Sequence, residues 1–391
     1  MSSSRLKPLA VCLAAALAIA PAGALLADPA HSAGLPQSQA ITRSHAAQLV
    51  ASSRRGSSLR EVMAVAAAKA LAARPRPPER PAGVTPVTSC DDAGPGTLRD
   101  AVTNAATGDV IDLTALSCGT ISLTTGAISA TVDDLTIQGP GASALTIDAG
   151  RASGVLNHYG TGTLAIDGLT ITNGYIVGQD FHGGACVLSA ANVEVSNSTL
   201  SNCYAYMGHA YGGAICAVGN ITLSNSTLSG NTTKGHYYYY YYPGYPNPYK
   251  INGTSWGGGA YAAGRFTITD SSITHNTAVM NNRGSVGGGF TSRTGGHLVQ
   301  RSTIDNNYAW LGGGFEILGH YGGGMGGITI VNSTISGNSA SESGGGVDVY
   351  WMDYTTLHNS TVTDNFAPYC GGFYVYYGNA DLKSSIIAGN R

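Results

Sequence analysis

Charged side chains are scarce in this 391-residue sequence, and phenylalanine is scarce beside tyrosine. Asp, Glu, Lys and Arg make up only 11% of the chain, against about 25% in an ordinary soluble domain. Coiled coils and long single helices are rich in Glu, Lys, Leu and Ala, so this composition argues against them. Apolar residues still make up 43% of the chain, which argues against charge-driven disorder.

Glycine is abundant where charge is missing, with 55 residues, roughly twice the average usage. It has no strict period of three, which excludes collagen. Residues 1–85 hold ten basic and three acidic side chains, and residues 86–391 hold ten basic and nineteen acidic ones. The main body is therefore mildly acidic, which argues against nucleic acid as a partner.

The N-terminus has the pattern of a secretory signal. Arg5 and Lys7 precede an apolar run from Leu9 to Ala20, and Pro21 and small residues follow it. We predict a signal peptide over residues 1–27; an uncleaved membrane anchor is the alternative, although the run has Ala and Gly where a spanning helix prefers Leu and Ile. Later segments are not apolar enough to span a membrane. Residues 28–86 read as an Ala-rich helix followed by an extended Pro/Arg linker.

A short helix is predicted at the start of the main body, because Thr97 and Asp100 form a capping box before an apolar helical face. From about residue 180 two phrases alternate. One is a glycine doublet or triplet followed by an apolar residue. The other is strand-like and ends in Asn, at positions 231, 276, 307, 338, 365 and 390.

Each repeat of about 25–31 residues holds two or three short strands and cannot bury an apolar face alone. We therefore predict an all-β, right-handed parallel β-helix, with three strands per coil, over residues 87–391. Residues 87–180 form its cap and residues 180–391 its repeats. The recurrent Asn is expected in the left-handed backbone region at corners, stacked as a hydrogen-bonded ladder. A serine column that includes Ser226, Ser272 and Ser302 is expected to do the same.

These phrases resemble the repeats of polymorphic outer membrane proteins. Gly212-Gly-Ala-Ile215 is similar to their Gly-Gly-Ala-Ile motif, and Leu228-Ser-Gly-Asn231 is a degenerate form of their Phe-x-x-Asn motif. The segments 94–102 and 137–142 resemble the N-terminal cap of secreted bacterial β-helix proteins of the pectin-lyase-like superfamily. The resemblance implies a β-helix that is secreted or displayed on a cell surface, often as an adhesin.

Two carboxylates are the candidates for catalysis. Glu316 and Asp348 follow the glycine phrases of adjacent coils, and we expect both to point outward. In register, their carboxyl groups would lie near the separation found in retaining glycosidases. The alternatives are two solvated surface acids or a pair of calcium ligands. No metal or other cofactor is predicted.

An insertion over residues 234–255 is the candidate for ligand binding. It holds eight of the 22 tyrosines, six of them consecutive: Tyr237, Tyr238, Tyr239, Tyr240, Tyr241 and Tyr242. Exposed aromatic rings stack on sugars or anchor protein partners. A low-complexity loop without a ligand is the alternative.

Of the seven cysteines, Cys12 lies in the predicted signal peptide, and the six that remain, an even number in a secreted chain, predict disulfides. Cys90 and Cys118 both lie in the cap and could pair, and Cys186, Cys203 and Cys216 lie on neighbouring coils. Because the chain stops at Arg391 directly after an Asn corner, we expect an open sheet edge, and either a longer natural chain or a partner that covers it.

The leading hypothesis is a non-enzymatic protein, secreted or on the outer surface of a bacterium, with an adhesin-like or structural role. Its expected partners are a polysaccharide or a surface protein. The alternative is a polysaccharide lyase or glycoside hydrolase of the same fold.

Overall fold

The protein is a right-handed parallel β-helix, as the repeats predicted. The structure is a computed structural model that describes residues 10–13, 81–178, 181–240, 249–280, 284–319 and 326–391. Strands of successive coils pair in parallel and build four sheets, here numbered I to IV in the order in which a coil visits them after its glycine phrase. A separate antiparallel pair, Tyr238–Tyr240 with Tyr249–Ile251, stands outside these sheets.

Sheets I and II each run the length of the β-helix. Sheet I contains Ile128–Ala130, Leu156–His158, Val187–Ser189, Ile215–Ala217, Ala260–Ala262, Phe290–Ser292, Phe315–Leu318, Val347–Tyr350 and Phe373–Tyr376, with Ala10–Leu13 antiparallel to the last of these. Sheet II contains Val84–Pro86, Asp109–Asp112, Leu135–Gln138, Thr163–Asp167, Asn192–Ser196, Ile221–Ser224, Phe266–Thr269, His297–Gln300, Gly327–Val331, Tyr354–His358 and Asn379–Lys383.

Sheets III and IV complete each coil. Sheet III contains Thr120–Ser122, Thr146–Asp148, Thr170–Thr172, Thr199–Ser201, Thr227–Ser229, Ser272–Thr274, Thr303–Asp305, Thr334–Ser336, Thr361–Thr363 and Ile386–Ala388. Sheet IV has two rows. Its first row is Tyr175–Val177, Tyr204–Met207, Thr232–Gly235, Thr277–Met280, Tyr308–Leu311 and Ser339–Ser343, and its second is Phe181–Gly183, His209–Tyr211, Thr254–Trp256 and Ser285–Val286.

The first two coils, with strands between residues 109 and 158, contain the expected three strands, but the coils that follow, as far as Ser343, have strands in all four sheets. The Asn phrase that reads as one strand is two strands, because a residue in its middle has a left-handed backbone and turns the chain. Asn225, with φ of 46°, separates Ile221–Ser224 from Thr227–Ser229 in this way. Asp270 and Asn332 do the same in later coils.

The ladder of recurrent asparagines forms as expected, but the conformation predicted for it was wrong. The Asn side chains are buried, and each amide donates to the next: Asn276 Nδ2 lies 3.0 Å from Asn307 Oδ1, whose own Nδ2 lies 2.9 Å from Asn338 Oδ1. The left-handed residue is the one before the Asn, as with Asn306 at φ 53°. That turn directs the Asn inward, where backbone and side-chain groups satisfy it.

A serine column runs beside this ladder, with one position different from the prediction. The backbone N–H of Ser226 donates to Ser271 Oγ at 3.1 Å, and the N–H of Ser271 donates to Ser302 Oγ at 3.1 Å. Ser271 therefore occupies the place expected for Ser272, which lies in a sheet III strand.

The glycine triplets allow tight turns between sheets IV and I. Gly287 has φ of 63°, and a Cβ there would lie 2.3 Å from the carbonyl oxygen of Phe290. The next glycine stacks on the equivalent glycine of the following coil, because a Cβ on Gly288 would lie 2.2 Å from Gly313 O. Only glycine fits such a position.

Sheet I is covered on both faces. Residues such as Phe290, Phe315 and Val347 point into the main core, where the rings of the two phenylalanines lie 4.7 Å apart. The alternate residues point the other way and form a second apolar cluster with residues of sheet IV: Leu188, Cys216, Trp256, Tyr261, Val286, Trp310, Leu311, Leu318 and Tyr350. Trp256, Val286, Trp310 and Leu311 come from sheet IV, which packs over the outer face of sheet I.

The N-terminal end has the predicted capping helix, Leu98–Thr103, whose cap Thr97 accepts a hydrogen bond from the N–H of Asp100 at 3.2 Å. Arg99 ties this cap together, because its guanidinium donates to Asp92 Oδ1 and to the carbonyl oxygens of Gly126 and Ala127. The coils begin at Val84–Pro86, inside the segment predicted as linker.

The predicted signal peptide and the rest of the predicted linker segment lie outside the described residues, apart from residues 10–13 and 81–86. Within the described part, none of the helices has the length and apolar character that a membrane crossing needs.

One disulfide joins cysteines within the cap and another joins cysteines within a single coil. Cys90 pairs with Cys118, which confirms the expected pairing in the cap. Cys186 pairs with Cys203, the residue that stands in an Asn position of the ladder. The N–H of Cys203 still donates to Asn231 Oδ1 at 3.0 Å, so the ladder begins directly after it. Cys216 is a free thiol and is buried.

Candidate functional site

The two candidate carboxylates lie on neighbouring strands of sheet I and face the second apolar cluster. Glu316 pairs in register with Asp348 between the strands Phe315–Leu318 and Val347–Tyr350. Both side chains point away from the main core, but neither reaches solvent: Glu316 is 1% exposed and Asp348 0%. The expectation that they are exposed was therefore wrong, because sheet IV covers this face of sheet I.

Each carboxyl group has one hydroxyl donor. Thr291 Oγ1 donates to Glu316 Oε2 at 2.6 Å, and Ser343 Oγ donates to Asp348 Oδ2 at 2.6 Å. Asp348 Oδ1 is buried and has no hydrogen-bond partner among the residues that the structure describes. A buried anion with so few donors is unfavourable, which favours the protonated acid.

Burial dominates the proton affinity of this pair. It raises the pKa of Glu316 to about 7, although the Thr291 hydroxyl and the charge of Arg293 act in the opposite direction. Burial also raises the pKa of Asp348 well above its ordinary value; the Ser343 hydroxyl opposes this rise and the neighbouring Glu316 adds to it. Two carboxyl groups at the spacing of paired strands cannot both ionise easily, so the pair holds a proton at neutral pH.

The surroundings of the pair are aromatic. The Arg293 guanidinium lies over the Trp256 ring, with its Cζ 4.3 Å from the ring centroid, and Tyr261 meets Trp256 edge to face at 6.2 Å. Burial raises the pKa of Tyr261 and of Tyr350 beyond their ordinary values. The carboxyl pair is therefore protonated inside the second apolar cluster, and a polysaccharide has no direct contact with either acid.

Metal-ligating side chains do not gather anywhere in the described ranges in groups of three or more His, Cys, Asp or Glu. Glu316 and Asp348 supply two carboxylates, and their other polar neighbours, Thr291 and Ser343, donate hydrogen bonds to them.

The tyrosine-rich insertion leaves the β-helix as a hairpin. Tyr238–Tyr240 pairs antiparallel with Tyr249–Ile251, which brings Tyr240 opposite Tyr249. Tyr241 and Tyr242 lie outside the described residues. The two ends of the hairpin lie close together, because the carbonyl oxygen of His236 lies against Gly253, where a Cβ would not fit.

The sequence reasoning missed a second group of tyrosines beside this hairpin. Tyr175, Tyr204 and Tyr206 lie on the first row of sheet IV, and Tyr206 contacts His236, directly before Tyr237, with ring centroids 4.6 Å apart. The sequence does contain a sign of this group: Tyr204 and Tyr206 are two residues apart, and this spacing places both rings on one face of a strand.

Comparisons with protein-family models, curated proteins and solved structures found no match. The fold itself defines the class: a parallel β-solenoid of stacked coils with almost no helix. The likeness to polymorphic outer membrane protein repeats and to pectin-lyase-like caps rests on the sequence motifs alone.

Proposed function

We propose that this chain is a secreted or cell-surface β-helix protein that binds a surface polysaccharide or protein without modifying it, and that the tyrosine-rich hairpin makes the contact. The observation that carries this proposal is the hairpin of Tyr238–Tyr240 and Tyr249–Ile251, which belongs to none of the four sheets of the coils. A hairpin that does not pair with the sheets of the coils and is rich in aromatic residues is typical of a binding element.

The buried position of Glu316 and Asp348 argues against the alternative of a polysaccharide lyase or glycosidase that uses this pair. A glycosidase needs one carboxyl group against the leaving oxygen and another against the sugar, so both must reach the substrate. Neither does here. The disulfides Cys90–Cys118 and Cys186–Cys203 fit an oxidising compartment, in agreement with secretion.

The experiment is a glycan array and a cell-surface binding assay with the full chain. The test variant replaces residues 238–251 with Gly-Ser-Gly, which the close approach of His236 and Gly253 allows. A control variant, Tyr354→Ser, removes an exposed tyrosine from sheet II. We expect equal binding by the natural chain and the control, and much weaker binding by the hairpin variant. Equal binding by all three would refute the role of the hairpin.

A further inference from the structure

Outward tyrosines on the first row of sheet IV form a stacked surface across neighbouring coils. Tyr175 pairs in register with Tyr204, and their rings are nearly parallel, 17° apart, with centroids at 5.6 Å. Ala205, between the two tyrosines of its strand, is fully buried, so alternation directs Tyr204 and Tyr206 outward. Both tyrosines are half-buried, with their remaining surface open to solvent.

This surface continues towards the hairpin. Tyr206 pairs in register with Lys234 of the next coil, and Lys234 Nζ lies 5.4 Å from the centroid of the Tyr206 ring. On the other side Tyr206 pairs with Val177, which is 57% exposed. Three successive coils therefore present three tyrosines, an aliphatic side chain and a cation in adjoining positions.

The charges beside the tyrosines are positive, although the body of the protein is acidic. Arg151 is exposed at a corner next to them, where its backbone N–H donates to the carbonyl oxygen of Asn173 at 2.8 Å. Burial and the neighbouring Tyr175 and Tyr206 raise the pKa of Tyr204, and the charge of Arg151 acts against them. His236 is neutral at pH 7 because burial lowers its pKa, so Lys234 and Arg151 supply the charge.

One acidic group at this corner, Asp148, is held in place by hydrogen bonds. Asp148 Oδ1 accepts hydrogen bonds from Asn173 Nδ2 at 2.9 Å and from the N–H of Gly150 at 2.7 Å. Among the described residues neither Lys234 nor Arg151 forms a salt bridge, so both can pair with a ligand that carries negative charge. Tyrosine rings suit the apolar faces of sugar rings, and the cations suit acidic substituents on the same polymer.

We propose that Tyr175, Tyr204 and Tyr206, together with Lys234 and Arg151, bind an anionic polysaccharide along the outer face of sheet IV. This site lies apart from the buried acids, and its Tyr206 contacts His236 at the base of the hairpin. The inference rests on the proposed surface-binding function and names the ligand class and the residues that recognise it.

The test compares dextran sulfate with dextran, which have the same backbone and differ in charge. Binding to the full chain is measured by affinity electrophoresis and titration calorimetry at low and moderate salt. We expect binding to dextran sulfate that weakens with salt, and much weaker binding to dextran. Tyr204→Ala should weaken binding about three- to tenfold, and Tyr204→Phe should retain it. Lys234→Gln should weaken binding and its salt dependence, and Lys234→Arg should retain both.

Tyr354→Ala is the matched control, since Tyr354 is 43% exposed on a different sheet, and it should bind like the natural chain. Circular dichroism verifies that each variant is folded. Equal binding to dextran and dextran sulfate, or no binding to either, would overturn the assignment. If Tyr204→Ala and Lys234→Gln bind normally while the hairpin variant fails on cells, this inference is wrong and the proposed function stands. If the hairpin variant binds cells normally, the proposed role of the hairpin fails instead.

Discussion

Neutralising Glu316 permanently should remove a specific loss of stability at high pH. In the unfolded chain Glu316 ionises near its ordinary pKa of 4.5, but in the folded protein burial raises the pKa to about 7. The folded state therefore binds the proton more tightly. The resulting stabilisation is complete below pH 4.5 and is lost as the pH rises through 7. A rise of this size corresponds to about 3 kcal/mol of unfolding free energy.

Two buried histidines give the stability of the natural chain a pH dependence of the opposite sign. Burial lowers the pKa of His209 and of His297 to about 4, from 6.5. Their stabilisation is present above pH 6.5 and is lost as the pH falls through 4. The total pH profile therefore mixes opposing contributions, and the informative quantity is the difference between the natural chain and Glu316→Gln.

The assay is urea unfolding between pH 4.5 and 8.5, followed by tryptophan fluorescence, because Trp256 and Trp310 lie in the second apolar cluster. The glutamine keeps an oxygen that can accept the Thr291 hydroxyl. We expect Glu316→Gln to gain about 3 kcal/mol over the natural chain between the two ends of this range. Glu194→Gln, an exposed substitution of the same chemistry on sheet II, should gain nothing. Parallel profiles for the natural chain and Glu316→Gln would refute the buried, protonated state of this acid.

Three further predictions concern the ladder, a buried histidine and the thiols. Asn307→Ala should destabilise the fold by about 3–5 kcal/mol in urea unfolding, because Asn276 and Asn338 each lose a buried partner; a cost below 1 kcal/mol would contradict the ladder. His297→Gln should flatten the acid side of the stability profile, since only neutral His297 Nδ1 accepts the N–H of Phe266; an unchanged acid limb would count against this. Cys216 should resist alkylation until urea unfolds the chain, as mass spectrometry would show, and rapid native labelling would contradict its burial.

The repeat predicted most of the fold because its phrases encode local geometry directly. Gly287 occupies a left-handed turn that would place a Cβ against backbone, and Asn307 and Ser302 recur where side chains can bond along the axis. The backbone conformation was misplaced by one residue, since sequence does not reveal which residue of Gly-Asn or Asn-Asn makes the turn. A second left-handed residue in the middle of the phrase, such as Asn225, divides it into two strands, and the sequence does not reveal that turn either.

The environment of the acids could not be predicted from alternation alone. Alternation correctly directs Glu316 away from the main core, but it does not reveal that another layer lies there. The clue was the apolar character of equivalent positions on other coils, such as Leu188, Cys216 and Tyr261, and of Trp256 and Leu311 just before glycine triplets. The acids are buried because residues of sheet IV pack against the outer face of sheet I, and this tertiary contact cannot be deduced from the pattern within one strand.

The most direct test of the proposed function measures binding and cleavage in the same samples of surface polysaccharide. The full chain and the variant with residues 238–251 replaced are incubated with anionic polysaccharides, and bound protein and newly released reducing ends are both quantified. We predict that the full chain binds, that the variant binds much more weakly through the remaining sheet IV residues, and that neither releases reducing ends. Release of reducing ends by the full chain, or undiminished binding by the variant, would contradict a non-enzymatic protein that binds through its tyrosine-rich hairpin.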